Sequence, residues 1–252
     1  MKKIVLTPRS PTPIPVEAPV ITPDQFAGKT IQEIRDLPIH YGNMETKLSE
    51  WIHAQGKPAE TPEEQLIVID GEAGYIKRIG EGMTAGRIVV QGNAGMHLGA
   101  QMQGGEITVT GDTADWTGAE MKGGLIRVLG NAGNLVGSAY RGSSEGMTGG
   151  CILVKGNIGH EAASFMRRGV LVVLGDTGEF LGAHLNGGEV VVFGKTGRRA
   201  GAQAKGNGGY IVCLGGVEEL LPTYRLEAEY KPYFLRLLMR ELYSKLGLEE
   251  AQ

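Results

Sequence analysis

The chain has 252 residues, a formal net charge of −3 and 41 glycines, about twice the usual glycine share. A protein that grips nucleic-acid backbones is basic overall, so this charge excludes that class, and it gives no pull towards an acidic membrane surface. No apolar run approaches the roughly 20 residues of a membrane span, and two cysteines without a CxxC pair make no disulfide framework.

The N-terminus, "MKKIVLTPRSPTPIPVEAP", starts basic but lacks the apolar stretch of a secretory signal, so a cytoplasmic location is expected. Its first 25 residues read as an extended, proline-rich arm suited to wrapping another protein. A short helix is expected at "TIQEIRDL" (30–37), and residues 1–60 are assigned to an N-terminal arm and cap.

A period then sets in. The segments 87–105, 106–124, 151–169 and 170–188 each open on an alternating strand, close on a glycine-rich stretch and repeat with a step of 19 residues. The unit at 125–150 is longer by an inserted loop, and a unit at 66–86 fits with two extra residues. A constant step of this size is the mark of a solenoid. The second and fourth strand positions, from Ile67/Ile69 through Ile126/Val128 to Ile211/Cys213, point to one side. Met83, Met102, Met121, Met147, Met166 and Leu185 form a second inward ladder, methionine being suited to irregular gaps. Glycines such as Gly92, Gly99 and the Gly104–Gly105 dyad mark the corners. The fold expected is all-β: a right-handed parallel β-helix of about eight coils over residues 61–216.

The outward strand positions turn from polar (Arg87, Glu106, Thr108) to apolar (Val170, Val172, Val191, Phe193, Tyr210) along the stack. Such a face needs a cover. "YKPYFLRLLMRELYSKLG" (230–247) places Leu235, Leu238, Met239, Leu242 and Leu246 at helical spacing, with Gly247 as a stop. Residues 217–252 are therefore read as a helical tail on that flank, with a partner subunit as the other cover.

No chemical constellation emerges, so no catalytic, cofactor-binding or metal-ligating residue is assigned. The "GNAGMHLG" copies precede strand-like pieces rather than a helix, unlike a dinucleotide loop. The period is wrong for calcium-binding nonapeptide repeats, and no histidine falls at metal-ligand spacing with partners. Trp116 and Phe180 share a repeat slot, but Leu135 and Glu161 between them break a sugar-binding platform. Arg167–Arg168, and Lys195 with Arg198–Arg199, are either solvated turn charge or docking points for an acidic surface or anionic tail. Arg168 stands where sister coils carry glycine, and Ala163 replaces a corner glycine.

The arm "IVLTPRSPTPIPVEAP" (4–19), "FAGKTIQEI" (26–34), "RIGEGMTAG" (78–86), the repeats and the loop "GSAYRGSSEGMTGG" (137–150) together resemble the C subunit of formylmethanofuran dehydrogenase. The same subunit type occurs in the bacterial formyltransferase/hydrolase complex, and the resemblance runs over residues 3 to 215. The large subunit of glutamate synthase carries a similar glycine repeat, but the arm and the Tyr140–Arg141–Gly142 loop favour the one-carbon family. The resemblance implies a structural subunit that binds A, B and, in bacteria, D subunits acting on a formyl group held by a methanofuran-type carrier. Molybdopterin or tungstopterin, iron–sulfur clusters or zinc are then expected only in those partners. Tyr140, Arg141, Arg167, Arg168, Arg198 and Arg199 are the interface candidates.

Overall fold

The structure is a computed structural model that describes residues 1–205, 208–225 and 233–246. It divides into two compact units, Met1–Leu220 and Leu221–Gln252. In chain order the first unit begins with β1 (Lys2–Pro8), β2 (Val16–Glu17), α1 (Pro23–Phe26), α2 (Ile31–Arg35), β3 (Pro38–Tyr41), β4 (Met44–Lys47), α3 (Leu48–Trp51) and β5 (Ile52–Gly56). It continues with β6 (Gln65–Asp70), β7 (Ile76–Lys77), β8 (Arg87–Gln91), β9 (Glu106–Val109), β10 (Leu125–Val128), β11 (Thr148–Val154), β12 (Arg168–Val173), β13 (Gly188–Val192) and β14 (Gly209–Cys213). The second unit contains α4 (Tyr233–Leu246).

The β-solenoid is present. Strands β6 and β8 to β14 pair in parallel, each with the next coil's strand, which gives eight stacked strands and seven turns between the first and the last. A second ladder of single bridges climbs beside them, from Ala73–Ala94 and Ala94–Thr113 up to Thr196–Val217. The inward ladder matches the alternation: Ile67, Ile88, Ile107, Ile126, Ile152, Leu171 and Val190 are wholly buried, and so are Met83, Met102, Met121, Met147 and Met166. At the last coil Ile211 and Cys213 are only partly buried.

The arm departs from expectation. Its first residues do not extend away to wrap another protein but form a coil of their own. Strand β1 lies parallel to β6 with Ile4 opposite Ile67 and Leu6 opposite Ile69, and both arm residues are fully buried. Strand β2 then pairs with β7, and Thr84 donates its backbone N–H to Asp24 Oδ2 at 3.1 Å. The alternation in "KIVLT" fits a rung of the stack; the prolines after it mask the continuation. Residues 30–56 cap this coil. Thr30 and Glu33 close a capping box on α2 (Thr30 N–H to Glu33 Oε2, 2.7 Å), which fixes the helix start. Strand β5 pairs antiparallel with β1 and ends the sheet.

Each coil turns one corner with an unusual backbone. Three alternate residues take positive φ, as in His97 (63°), Gly99 (59°) and Gln101 (55°), while in the coil with the inserted loop only Leu135 and Gly137 do so. Left-handed backbone costs a non-glycine residue roughly 1–2 kcal/mol, and the stack offsets it with hydrogen bonds. His97 N–H donates forward to Asp115 O (3.0 Å), Gly99 N–H back to Ile79 O (2.8 Å), and Gln101 N–H forward to Ala119 O (2.7 Å). The same alternation recurs at Trp116–Gly118–Glu120, Glu161–Ala163–Phe165 and Phe180–Gly182–His184.

The middle residue of this corner needs glycine for a second reason. A Cβ at Gly99 would lie 2.6 Å from Ile126 Cδ1, two coils on, and one at Gly182 would lie equally close to Ile211 Cδ1. Ala163 breaks the rule, and the same two-coil step brings it opposite Val190, the one valine in a column otherwise of isoleucine and leucine. The missing Cδ of valine leaves room for the alanine methyl. Arg168 breaks the other glycine position. In sister coils a Cβ there would overlap a backbone carbonyl of the preceding coil, and at Arg168 the β11–β12 register shifts between Thr148 and Cys151 to make room.

A third ladder crosses the coils outside the core. Asn93, Asp112, Asn131, Asn157 and Asp176 each accept, through side-chain Oδ1, the backbone N–H of the matching residue one coil on, at 2.7–2.9 Å. In the second unit, Leu235, Leu238, Met239 and Leu242 are the less exposed positions of α4, as the helical spacing requires. Gly247 lies outside the described residues.

The corner packing gives a direct check. Val190→Ile should lower unfolding stability by about 1–3 kcal/mol through overpacking, and adding Ala163→Gly should restore most of it. Denaturant unfolding of both variants and the double variant measures the coupling; additive losses would refute the pairing of these two positions.

Candidate functional site

The left-handed corners carry their first and third side chains in two neighbouring columns. The first column runs His97, Trp116, Leu135, Glu161, Phe180, Arg199; the second includes Gln101, Glu120, Phe165 and His184. Because these positions are locked to the coils on either side, the side chains are held at fixed spacing. Phe165 and His184 stack with ring centres 4.4 Å apart and planes 7° from parallel.

The inserted loop folds onto this face. Tyr140 lies 4.9 Å from the Trp116 ring and 5.5 Å from the His97 ring, and its hydroxyl is 2.9 Å from His97 Nδ1. Its backbone N–H donates to Glu120 Oε1 (3.2 Å), while Gln101 Nε2 donates to the other oxygen of that carboxylate (3.0 Å). Arg78 stands nearby, bound to Glu81 at 2.8 Å and to Glu17 at 3.4 Å. Burial pushes the Tyr140 phenol up to about 12, with Glu81 adding to it. Burial, with Arg78 beside it, lowers the His97 imidazole below its ordinary value. Both shifts favour the neutral forms of the two groups.

The six interface candidates separate into distinct environments. Tyr140 is half-buried against its own chain, while Arg141 at the loop tip is exposed. Arg167 holds the loop's other end: its Nη2 donates to Ser144 O (3.1 Å) and its Nε lies 3.6 Å from Glu145. Arg168 is exposed at the bulge. Arg198 pairs with Glu218 (3.2 Å) and Glu179 (3.7 Å), and Arg199 lies over the Phe180 ring at 5.3 Å. Tyr140, Arg141 and Arg167 thus belong to one loop structure, and Arg198–Arg199 to the last corner.

Sequence spacing marks Trp116 and Phe180 as sharing a slot, with Leu135 and Glu161 interrupting them. It does not show the second column, where Phe165 and His184 fill the gap, nor the reach of Tyr140 from the insertion. Two cavities open here. One, of about 370 Å³, is lined by Trp116, Leu135, Tyr140, Arg141, Glu161 and Phe165 among others. The other, of about 300 Å³, is lined by Glu161, Ser164, Phe165, Phe180, Ala183 and His184. A larger space of about 500 Å³ lies at the C-terminal coils beside Lys195, Thr196 and Glu218. Among the described residues no three His, Cys, Asp or Glu side chains gather where they could hold a metal ion. Burial raises both thiols, Cys151 to about 12, with no cation strong enough to offset it, so neither is a thiolate at neutral pH. No helix among the described residues is long and apolar enough to cross a membrane.

No family model matches the chain. Over 100 residues, 40% of its length, it is 48% identical to the C subunit of the tungsten-containing formylmethanofuran dehydrogenase 2 of Methanothermobacter wolfeii, covering 37% of that protein. Over 98 residues it is 45% identical to the C subunit of the molybdenum-containing formylmethanofuran dehydrogenase 1 of Methanosarcina barkeri, covering 33% of it. The chain thus spans about a third of the length of these curated relatives. Its structure superposes with a TM-score of 0.76 on a chain in the crystal structure of the formyltransferase/hydrolase complex from Methylorubrum extorquens with methylofuran, at 25% identity, over 98% of this chain and 89% of that one. These likenesses bear out the family resemblance carried by the sequence.

The His97–Tyr140 contact sets a pH response. Because the folded-state imidazole titrates below 6.5, the unfolded chain binds the proton first. Stability is then full above that value and falls as the pH drops towards the lowered folded value. Trp116 fluorescence and protease nicking at 141–145 should report loosening of the loop on acidification. His97→Gln should flatten that response, and an unchanged acid profile in the variant would count against it.

Proposed function

We propose that this chain, which belongs with the C subunits of the formylmethanofuran dehydrogenase family, is the scaffolding component of a formylmethanofuran dehydrogenase or formyltransferase/hydrolase complex. In this reading it is cytoplasmic. It binds A and B subunits, and a D subunit in the hydrolase form, while formyl chemistry on a methanofuran-type carrier proceeds in those partners. Molybdopterin or tungstopterin, iron–sulfur clusters or zinc then belong to the partners too.

The observation that carries this reading is the structural likeness along 98% of the chain to a component of such a complex. Two features of the molecule support it. Coils locked by backbone and side-chain hydrogen bonds make a stiff support at low conformational cost on binding. The inserted loop is fixed at both ends by the chain's own residues, Glu120 at one and Arg167 at the other, and it still presents Arg141 outward.

Co-expression with candidate A, B and D subunits should yield one species on gel filtration that contains this chain. Elution of the chain by itself, with the other subunits assembled without it, defeats the assignment.

A further inference from the structure

We propose that the two cavities on the left-handed corner face are lobes of one docking groove that receives an acidic, aromatic segment of a partner subunit. The proposal rests on the scaffold reading and names the chemistry of what the scaffold holds.

The lobes share Glu161, Ser164 and Phe165, so they open side by side along the stack. At about 370 and 300 Å³ each sits at the lower end of the range for ligand sites, which suits an inserted side chain better than a free cofactor. Their walls are half-buried rings: Trp116 and Tyr140 in the first, Phe180 and His184 in the second, with Phe165 between. Interface energy concentrates where rings fill such pockets. The groove floor is the hydrogen-bonded corner backbone, so little ordering is lost when it is filled.

Charge identifies the occupant. Arg141 lines the first lobe and Arg199 lies over the Phe180 ring of the second. Among the described residues neither has an ion-pair partner, whereas Arg167 and Arg198 are engaged by Glu145, Glu179 and Glu218. Glu161 occupies the middle and repels a carboxylate there. An occupant with carboxylates at the two ends and apolar or aromatic side chains between them meets all three constraints. A uniformly acidic or a basic segment meets fewer.

The test uses the full chain co-expressed with the A, B and D subunits. A photo-crosslinking benzoylphenylalanine is placed at Leu135 for the first lobe and, in a second protein, at Phe180 for the other. Irradiation of the purified complex should link both positions to one partner segment that carries Asp or Glu beside aromatic residues. Arg141→Glu and Arg199→Glu should each weaken association by about tenfold, and more at low salt, with the melting of the isolated chain unchanged. Links to a segment without carboxylates, or no link from an assembled complex, overturn the groove while leaving the scaffold reading intact. A wild-type chain that joins no complex overturns both.

Discussion

Every other feature of the first unit depends on one constraint: a coil must place its backbone donors and acceptors opposite those of its neighbours. The 19-residue step does this, and side chains obey it because they ride on the backbone. Isoleucines stack on isoleucines, methionines on methionines and asparagine or aspartate on its counterpart. Apolar burial supplies the drive, at about 25 cal/mol per Å² removed from water. The hydrogen bonds fix which residue meets which.

That constraint explains how departures from the repeat are tolerated. The insertion before Gly146 leaves the strand register between Ile126 and Ile152 intact. Arg168 is admitted by a register shift, and Ala163 is matched by the loss of a methyl group at Val190. Each irregularity has a local compensation, and all three fall within the coils from 125 to 209. The same coils carry the fixed loop and, apart from Trp116, the rings of the aromatic groove, so variation in the repeat and the features available to a partner largely share one stretch of the stack.

Much of this is legible in the sequence. The alternation of Ile88 and Val90 or Leu171 and Val173 needs only period two, and the glycine spacing gives the corners. The arm escapes such a reading because its prolines signal extension, while the pairing of Ile4 with Ile67 spans more than 60 residues and leaves no local trace. The Asn93–Asp176 ladder stands in plain register, yet a mixture of asparagine and aspartate at a turn does not by itself reveal that each side chain accepts from the next coil. The groove is hidden for a different reason. Leu135 and Glu161 interrupt the Trp116 column in sequence, and only the left-handed backbone shows that a second column, with Phe165 and His184, lies alongside it.

The reversal at β5 has a consequence of its own. A parallel rung offers evenly spaced, slanted hydrogen bonds, whereas an antiparallel strand offers alternating close and wide pairs. By running against β1, β5 leaves a margin that another winding of the same kind cannot continue. An added winding would meet a strand of opposite direction there, so it would not repeat the parallel coil-to-coil pairing of the stack.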